Sequence, residues 1–309
     1  TFKPITALAG LEAGIVKGLN WSVFCPGYFN FGSHTFRCWE RKGHGSVSLI
    51  KAIALSCDVY FYTIGSRIDI DFLAEVARKF GLGEPTGLSF PDEKTGLVPD
   101  SAWKQKRFKS SWYQGETVNV AIGQGYLLTT PLQMARAYMV FANGGNLYKV
   151  YVIKEIRSKE GKILYKESPT LEKKVTIQKD YYNWILEGLR KVVEEGTGKA
   201  ARVPGIMVWG KTGTAQVVSL KKKTKTTEHH AWFVSFAGNS TPEIVSAVLV
   251  EHGGSGGAVA APIAGELYKA FYKIPSTVRE IKILEERIEE VPQIYEAPEE
   301  RPNVGNNPF

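Results

Sequence analysis

Lys211-Thr212-Gly213-Thr214-Ala215-Gln216 lies between an apolar run, Ile206 to Trp209, and a second apolar pair, Val217 and Val218. That setting predicts a strand over 206–218. Its composition is specialised: one cation, two threonine hydroxyls and a glycine meet in six residues. Glycine lets another backbone approach closely. Lysine supplies a point charge for a carboxylate. The hydroxyls can donate to the same carboxylate or to an acyl carbonyl. A strand built this way can hold an extended peptide that ends in a carboxylate. The bare tripeptide Lys-Thr-Gly also suits a plain surface strand, so the remainder of the chain has to decide.

Working outward, two more strands are expected at 230–237 and 243–250, and a closing helix at 258–272. An amphipathic helix at 180–195 precedes the opening strand. The first half reads as helical at 1–14, 47–55, 59–68 and 71–80, and again from Pro131, a good first helical residue, to Asn143-Gly144-Gly145. Residues 150–157 and 162–167 flank Ser158-Lys159-Glu160-Gly161 as a hairpin. Residues 20–46 read as irregular and are too long for an idle loop. Residues 82–118 are punctuated by Gly and Pro. Helices followed by an antiparallel sheet, with helices available to pack on it, predict an α+β fold. The domain is expected to span 1–274. A polar Pro- and Glu-rich tail, 275–309, is expected to be partly disordered.

The chain has 309 residues, 43% of them hydrophobic and 12% aromatic, which is enough for a packed core. No run approaches the roughly 20 apolar residues of a membrane span. The net charge is +8, but residues 279–309 hold 4 basic and 8 acidic side chains, which leaves +12 on residues 1–278. Zinc-finger, helix-turn-helix and RNA-binding patterns are missing, so nucleic acid is not the expected partner. A basic body also suits an anionic polymer or an anionic membrane face. The run Lys221-Lys222-Lys223-Thr224-Lys225 reads as a solvated hairpin tip. The start, Thr1-Phe2-Lys3-Pro4, enters a helical pattern at once and reads as the interior of a longer chain.

Three chemistry-bearing fragments are far apart in sequence: Lys3 at a helix start, Ser56-Cys57-Asp58 between two helices, and Lys211 on the strand. A serine hydroxyl needs a base to act as a nucleophile near neutral pH. A lysine three residues later on a helix lies on the same face. Beside a second cation in a partly dry pocket its pKa falls and it can take the proton. Ser56 can relay a proton between that lysine and a leaving amine. Backbone N–H groups, one of them at Thr214, can hold the oxyanion.

The set resembles the Ser-x-x-Lys, Ser-x-Asn/Asp and Lys-Thr-Gly motifs of penicillin-interacting serine enzymes. The Phe2-Lys3-Pro4 context is similar to a Ser-Thr-Phe-Lys-Pro form, so the nucleophilic serine is expected immediately before Thr1. Longer segments resemble the transpeptidase domain of the penicillin-binding protein 2 family, the elongation-type class B enzymes. They are Ser56 through Tyr62, Gly115-Glu116-Thr117, Ile122 through Tyr126, Thr130 through Ala135, Asn143-Gly144-Gly145, Lys211 through Gln216 and His230 through Phe233. The resemblance implies a β-lactamase/transpeptidase-like fold with a helical subdomain. It implies a D,D-transpeptidase that crosslinks peptidoglycan stem peptides and is acylated by β-lactams. Lys3, Ser56, Asp58 and Lys211 are then the catalytic set, and Thr212, Gly213, Thr214 and Gln216 bind substrate. The resemblance also implies a glycosyltransferase partner and the periplasmic face of the bacterial inner membrane, with an anchor upstream. A serine β-lactamase or D,D-carboxypeptidase shares the three motifs, and a non-catalytic penicillin-binding sensor is the alternative from another class. No deacylating base of the β-lactamase kind is recognisable.

Cys25, Cys38 and Cys57 fall within 33 positions, with His44 among them. Cys3His is a known structural zinc set. The irregular stretch needs an organiser, and some relatives of the resembled family hold zinc near this place. Cys25, Cys38, His44 and Cys57 are therefore the candidate zinc ligands, with no cofactor expected for the chemistry itself. The rival is a Cys25–Cys38 disulfide with Cys57 free. His34, His229, His230 and His252 read as surface or core residues, with lining the cleft the alternative for His230.

Overall fold

Every residue from Lys3 to Leu11 is buried in helix α1 (Lys3–Glu12), which makes it a core helix rather than an amphipathic one. Ile5, Leu8 and Leu11 are sealed from water, each contributing about 1.5–3 kcal/mol by burial. The computed structural model describes residues 1–88, 92–216 and 228–275.

The stretch 20–46, expected to be irregular, is two nested ladders. Strand β1 (Ser22–Cys25) pairs with β4 (Gly45–Ser48), enclosing the pair β2 (Tyr28–Phe31) and β3 (His34–Arg37). Helix was expected from residue 47. Val47 is instead opposite Val23 in the outer ladder, and helix α2 (Leu49–Ala54) starts two residues later. A turn leads to α3 (Asp58–Gly65), followed by α4 (Ile70–Lys79). The Asp69 side chain caps α4, accepting from the N–H groups of Asp71 and Phe72.

The Gly- and Pro-punctuated stretch from residue 82 holds two helices that its pattern does not announce, α5 (Ser101–Phe108) and α6 (Gln114–Ala121). Both are short and polar, so the periodic signal is weak. They are joined by the buried Lys104, whose Nζ lies 2.7 Å from Glu116 Oε1. Helix α7 (Pro131–Ala142) begins as expected, with Thr130 and Gln133 closing a capping box. The predicted hairpin is present but shorter, β6 (Glu155–Arg157) with β7 (Ile163–Lys166). It is carried on a second pair, β5 (Asn146–Tyr148) with β8 (Leu171–Lys174).

Helix α8 (Lys179–Glu194) and a 3-10 turn at Lys199–Ala201 lead into the sheet. Among the described residues the sheet is β9 (Met207–Ala215), β10 (His230–Gly238) and β11 (Ile244–Val250), antiparallel, in the order β11-β10-β9. A π-helical turn, Gly256–Ala260, opens the last helix, α9 (Ala261–Phe271).

The period of two along β10 divides the core. Val234 and Phe236 join the large cluster with α1, α2, α3, α7 and α8. Ala231, Phe233 and Ala237 face the other way, against Ala261, Ala264 and Tyr268 of α9. Helices therefore cover both faces of an antiparallel sheet, which is the α+β arrangement expected. Val217 and Val218 of the predicted strand, the basic run at 221–225 and the tail from residue 276 lie outside the described residues.

Candidate active site

Lys3 is 5% exposed on the first turn of α1. Its Nζ lies 3.0 Å from Ser56 Oγ, 2.9 Å from the Ser56 carbonyl and 2.6 Å from Asp58 Oδ1. The other carboxylate oxygen, Asp58 Oδ2, accepts from the Trp39 N–H at 2.9 Å.

Local chain geometry aims Ser56 at Lys3. The Cys57 N–H reaches back to the Ala52 carbonyl and the Ser56 N–H to that of Ile53, which closes α2 with a Schellman turn. Such a turn places its residue after the cap in the left-handed region, where glycine is usual. Here it is Ser56, with φ +55°. A side chain in that conformation costs about 1–2 kcal/mol. The fold would accept glycine more readily at this place, so the hydroxyl is kept for what it contacts.

Strand β9 is the edge of the sheet and forms the facing wall. Its Thr212 carbonyl lies 3.5 Å from the Thr1 nitrogen, and its Thr214 carbonyl accepts from Gln124 Nε2 at 3.1 Å. Both carbonyls turn away from β10. Since the N–H and C=O of one strand residue point the same way, the Thr214 N–H also faces the cleft. Gly213 allows the closeness: a Cβ there would lie 3.0 Å from Thr1 Cγ2 and 3.1 Å from the Thr1 nitrogen. Thr212 Oγ1 is paired with Thr197 Oγ1 at 2.7 Å, and Gln216 is exposed where β9 ends.

Lys211 is fully buried, with Nζ 3.3 Å from the Thr212 carbonyl. Burial first, then the charge of Lys3, holds its ammonium well below the usual lysine range, against the opposing pull of Asp58. Lys3 is ion-paired with Asp58, whereas the polar contacts of Lys211 Nζ are to Thr212 alone among the described residues.

The candidate ligands also converge. The Cys25, Cys38 and Cys57 sulfurs and a His44 ring nitrogen all lie within 4.8 Å of one another. His44 Nδ1 is 3.6 Å from Cys25 Sγ and 3.5 Å from Cys38 Sγ. All three cysteines are buried and free of disulfides. The hydrogen bond from Cys57 holds the Cys38 thiol down to about 5 and pushes Cys57 up.

Four contacting residues were not among the expected site residues. Trp39 and Thr197 touch the site from stretches that look featureless in sequence. Tyr138 donates to the Thr1 carbonyl at 2.7 Å from the middle of a helix. Gln124 could have been suspected from its Gly123-Gln124-Gly125 setting, which read only as a turn. His230, a candidate cleft residue, accepts from the His252 N–H at 3.0 Å, in register with Ala215 at the end of β9.

Residues 1–269 match the family described as penicillin binding protein transpeptidase domain. The peptidoglycan D,D-transpeptidase MrdA of Acinetobacter baumannii is 38% identical over 280 residues, covering 85% of this chain and 41% of that protein. The chain therefore spans less than half the length of this relative. A Pseudomonas aeruginosa PBP2 crystal structure is similar with a TM-score of 0.75 at 36% identity, covering 88% of this chain and 57% of that one. A structure of a peptidoglycan synthase complex gives 0.78 at 35% identity, covering 90% and 46%. With a matching family model over nearly all the described residues and the three motifs meeting in one cleft, the chain belongs to the penicillin-binding protein transpeptidase domain family.

Proposed function

We propose that this chain is the catalytic portion of a peptidoglycan D,D-transpeptidase of the elongation type. The reading rests on one observation above all: Lys3 holds Ser56 and Asp58 within 3.0 Å, opposite a buried Lys211 on an edge strand. A serine joined to Thr1 would enter beside Lys3 and Thr212. Its Oγ attacks the penultimate D-alanine carbonyl carbon of a stem peptide, and the Oγ proton passes toward the Lys3 and Ser56 pair. Ser56 Oγ delivers a proton to the departing amine as the peptide bond breaks. The Thr214 N–H and the nucleophile's own N–H hold the oxyanion. Lys211, with the Thr212 and Thr214 hydroxyls, takes the terminal carboxylate. The amine of a second stem peptide then attacks the acyl-enzyme, forming the crosslink and releasing the serine. A β-lactam forms the same acyl bond and keeps its amine tethered.

Titrating the full-length protein with a chromogenic cephalosporin tests this. Slow acylation that stops at one equivalent is expected. Fast multiple turnover would overturn the reading in favour of a β-lactamase. The similarity to a chain of a peptidoglycan synthase complex supports a glycosyltransferase partner at the periplasmic face of the inner membrane. Co-purification of the full-length protein from membranes with a glycosyltransferase tests that.

The cysteine cluster fits a structural zinc ion. A tetrahedral site with Zn–S near 2.3 Å needs ligand atoms about 3.5–3.8 Å apart, and the four donors lie in that neighbourhood. Cys25, Cys38, Cys57 and His44 Nδ1 would hold the ion. It would brace the turn that carries Ser56 and Asp58 and take no part in the reaction. Metal analysis should give about one zinc per chain, the count one four-ligand site allows. Absence of zinc with Cys25 and Cys38 oxidised would overturn the assignment.

A further inference from the structure

We propose that Trp39 is a positioning residue for the proton-relay turn, an assignment that rests on the transpeptidase reading above. Lys3 grips Ser56 and Asp58 from inside the cleft, and Trp39 grips the same two residues from outside. The indole Nε1 donates to the Leu55 carbonyl at 3.0 Å and to the Ser56 carbonyl at 3.1 Å. The Trp39 backbone N–H donates to Asp58 Oδ2 at 2.9 Å. Two acceptors are therefore shared. The Ser56 carbonyl receives both Lys3 Nζ and the indole, and the Asp58 carboxylate receives Lys3 on one oxygen and Trp39 on the other.

The placement is not explained by packing. Trp39 is 53% exposed, so its rings add little to the core. What is specific is the direction of its one polar atom. The last carbonyls of a helix have no donor within the helix and are ordinarily left to water. Here the carbonyl of Leu55, the cap of α2, and that of Ser56 just past it receive a side-chain donor held by the chain itself. The turn they belong to is the left-handed one at Ser56, φ +55°. Without the indole N–H, water competes for these carbonyls and the peptide planes on either side of Ser56 loosen. The Ser56 hydroxyl is then held near Lys3 for a smaller share of the time. The ring also meets His44 edge-on at 5.3 Å, so it lies between the cysteine cluster and the relay turn.

The test uses the full-length enzyme and a fluorescent penicillin, with the binding constant Ks and the acylation rate k2 measured separately by stopped flow. Trp39→Phe removes the donor and part of the ring. Trp39→3-benzothienylalanine keeps both rings and removes only the N–H. Both should lower k2 by about tenfold, the worth of one hydrogen bond realised in the reacting state. Ks should stay within about twofold, and Tm and bound metal should be unchanged. A k2 within about twofold of the unsubstituted enzyme would overturn the assignment. So would a loss of k2 that tracks a fall in Tm and metal content, which marks a merely structural contact. If the unsubstituted enzyme itself fails to acylate, the transpeptidase reading falls and the role of Trp39 falls with it.

Discussion

Ser56 and Lys211 are each less stable than a residue that could replace them, and both departures lie in the cleft. At Ser56 the left-handed turn favours glycine. Ser56→Gly should therefore raise stability by about 1 kcal/mol in urea unfolding. The same change should cut the penicillin acylation rate by about a hundredfold, the scale of one lost proton-transfer group. At Lys211 burial and the Lys3 charge disfavour the ammonium. The unfolded chain then binds that proton at a higher pH than the folded one. Stability accordingly rises as pH climbs toward the ordinary lysine value of 10.5 and is diminished below it. Lys211→Met should remove this slope from Tm measured between about pH 7 and 10. It should also stabilise the fold near neutral pH, while abolishing acylation. A flat Tm–pH comparison between the two proteins would contradict the burial argument.

Two junctions between elements are held by buried polar groups. Arg136, on α7, is 2% exposed and ties three segments together. It donates to the Tyr148 carbonyl at 2.8 Å, the Pro85 carbonyl at 3.4 Å and Glu172 at 2.6 Å. Removing one partner of such a pair strands the other charge. Arg136→Ala should cost about 3–5 kcal/mol, read by chemical denaturation, and should loosen β5 and β8 first in hydrogen exchange. Between the sheet and α9, the Tyr268 hydroxyl meets Ser235 at 2.7 Å and Ser246 at 2.8 Å. Tyr268→Phe leaves the two serines paired with each other at 3.1 Å, so only about 1 kcal/mol should be lost. The contrast between the two variants separates a stranded charge from a satisfied hydroxyl pair.

At the scale of the whole molecule, the site joins positions 3, 56 to 58 and 211, which meet because the N-terminal end of α1 abuts both the turn before α3 and strand β9. The cysteine cluster draws residues 25, 38, 44 and 57 to the same turn. With zinc bound, the three cysteines should resist a thiol reagent in the native protein. Stripping the metal with a chelator should expose all three and lower Tm, while β-lactam acylation should leave the thiols protected. Thiols that react freely in the metal-bound native protein would count against the cluster.

The strands at β9, β10 and β11, the helices α7 and α8, and the motif residues were legible because each depends on local pattern. Period, proline at a helix start, and the cation-hydroxyl-glycine composition of Lys211 to Thr214 are carried by neighbouring residues. The ladders in 20–46 were not legible, because their strands are four residues each and pair across an intervening hairpin. Nor were α5, which buries only Lys104, and α6, whose buried Thr117, Val118, Val120 and Ala121 span too few turns to show a period. The sequence by itself determined which groups could do acyl transfer. Only the tertiary structure decided which lysine is sealed from water and which indole faces the Ser56 carbonyl. Burial and hydrogen-bond direction depend on what the fold brings near, and no spacing along the chain encodes them.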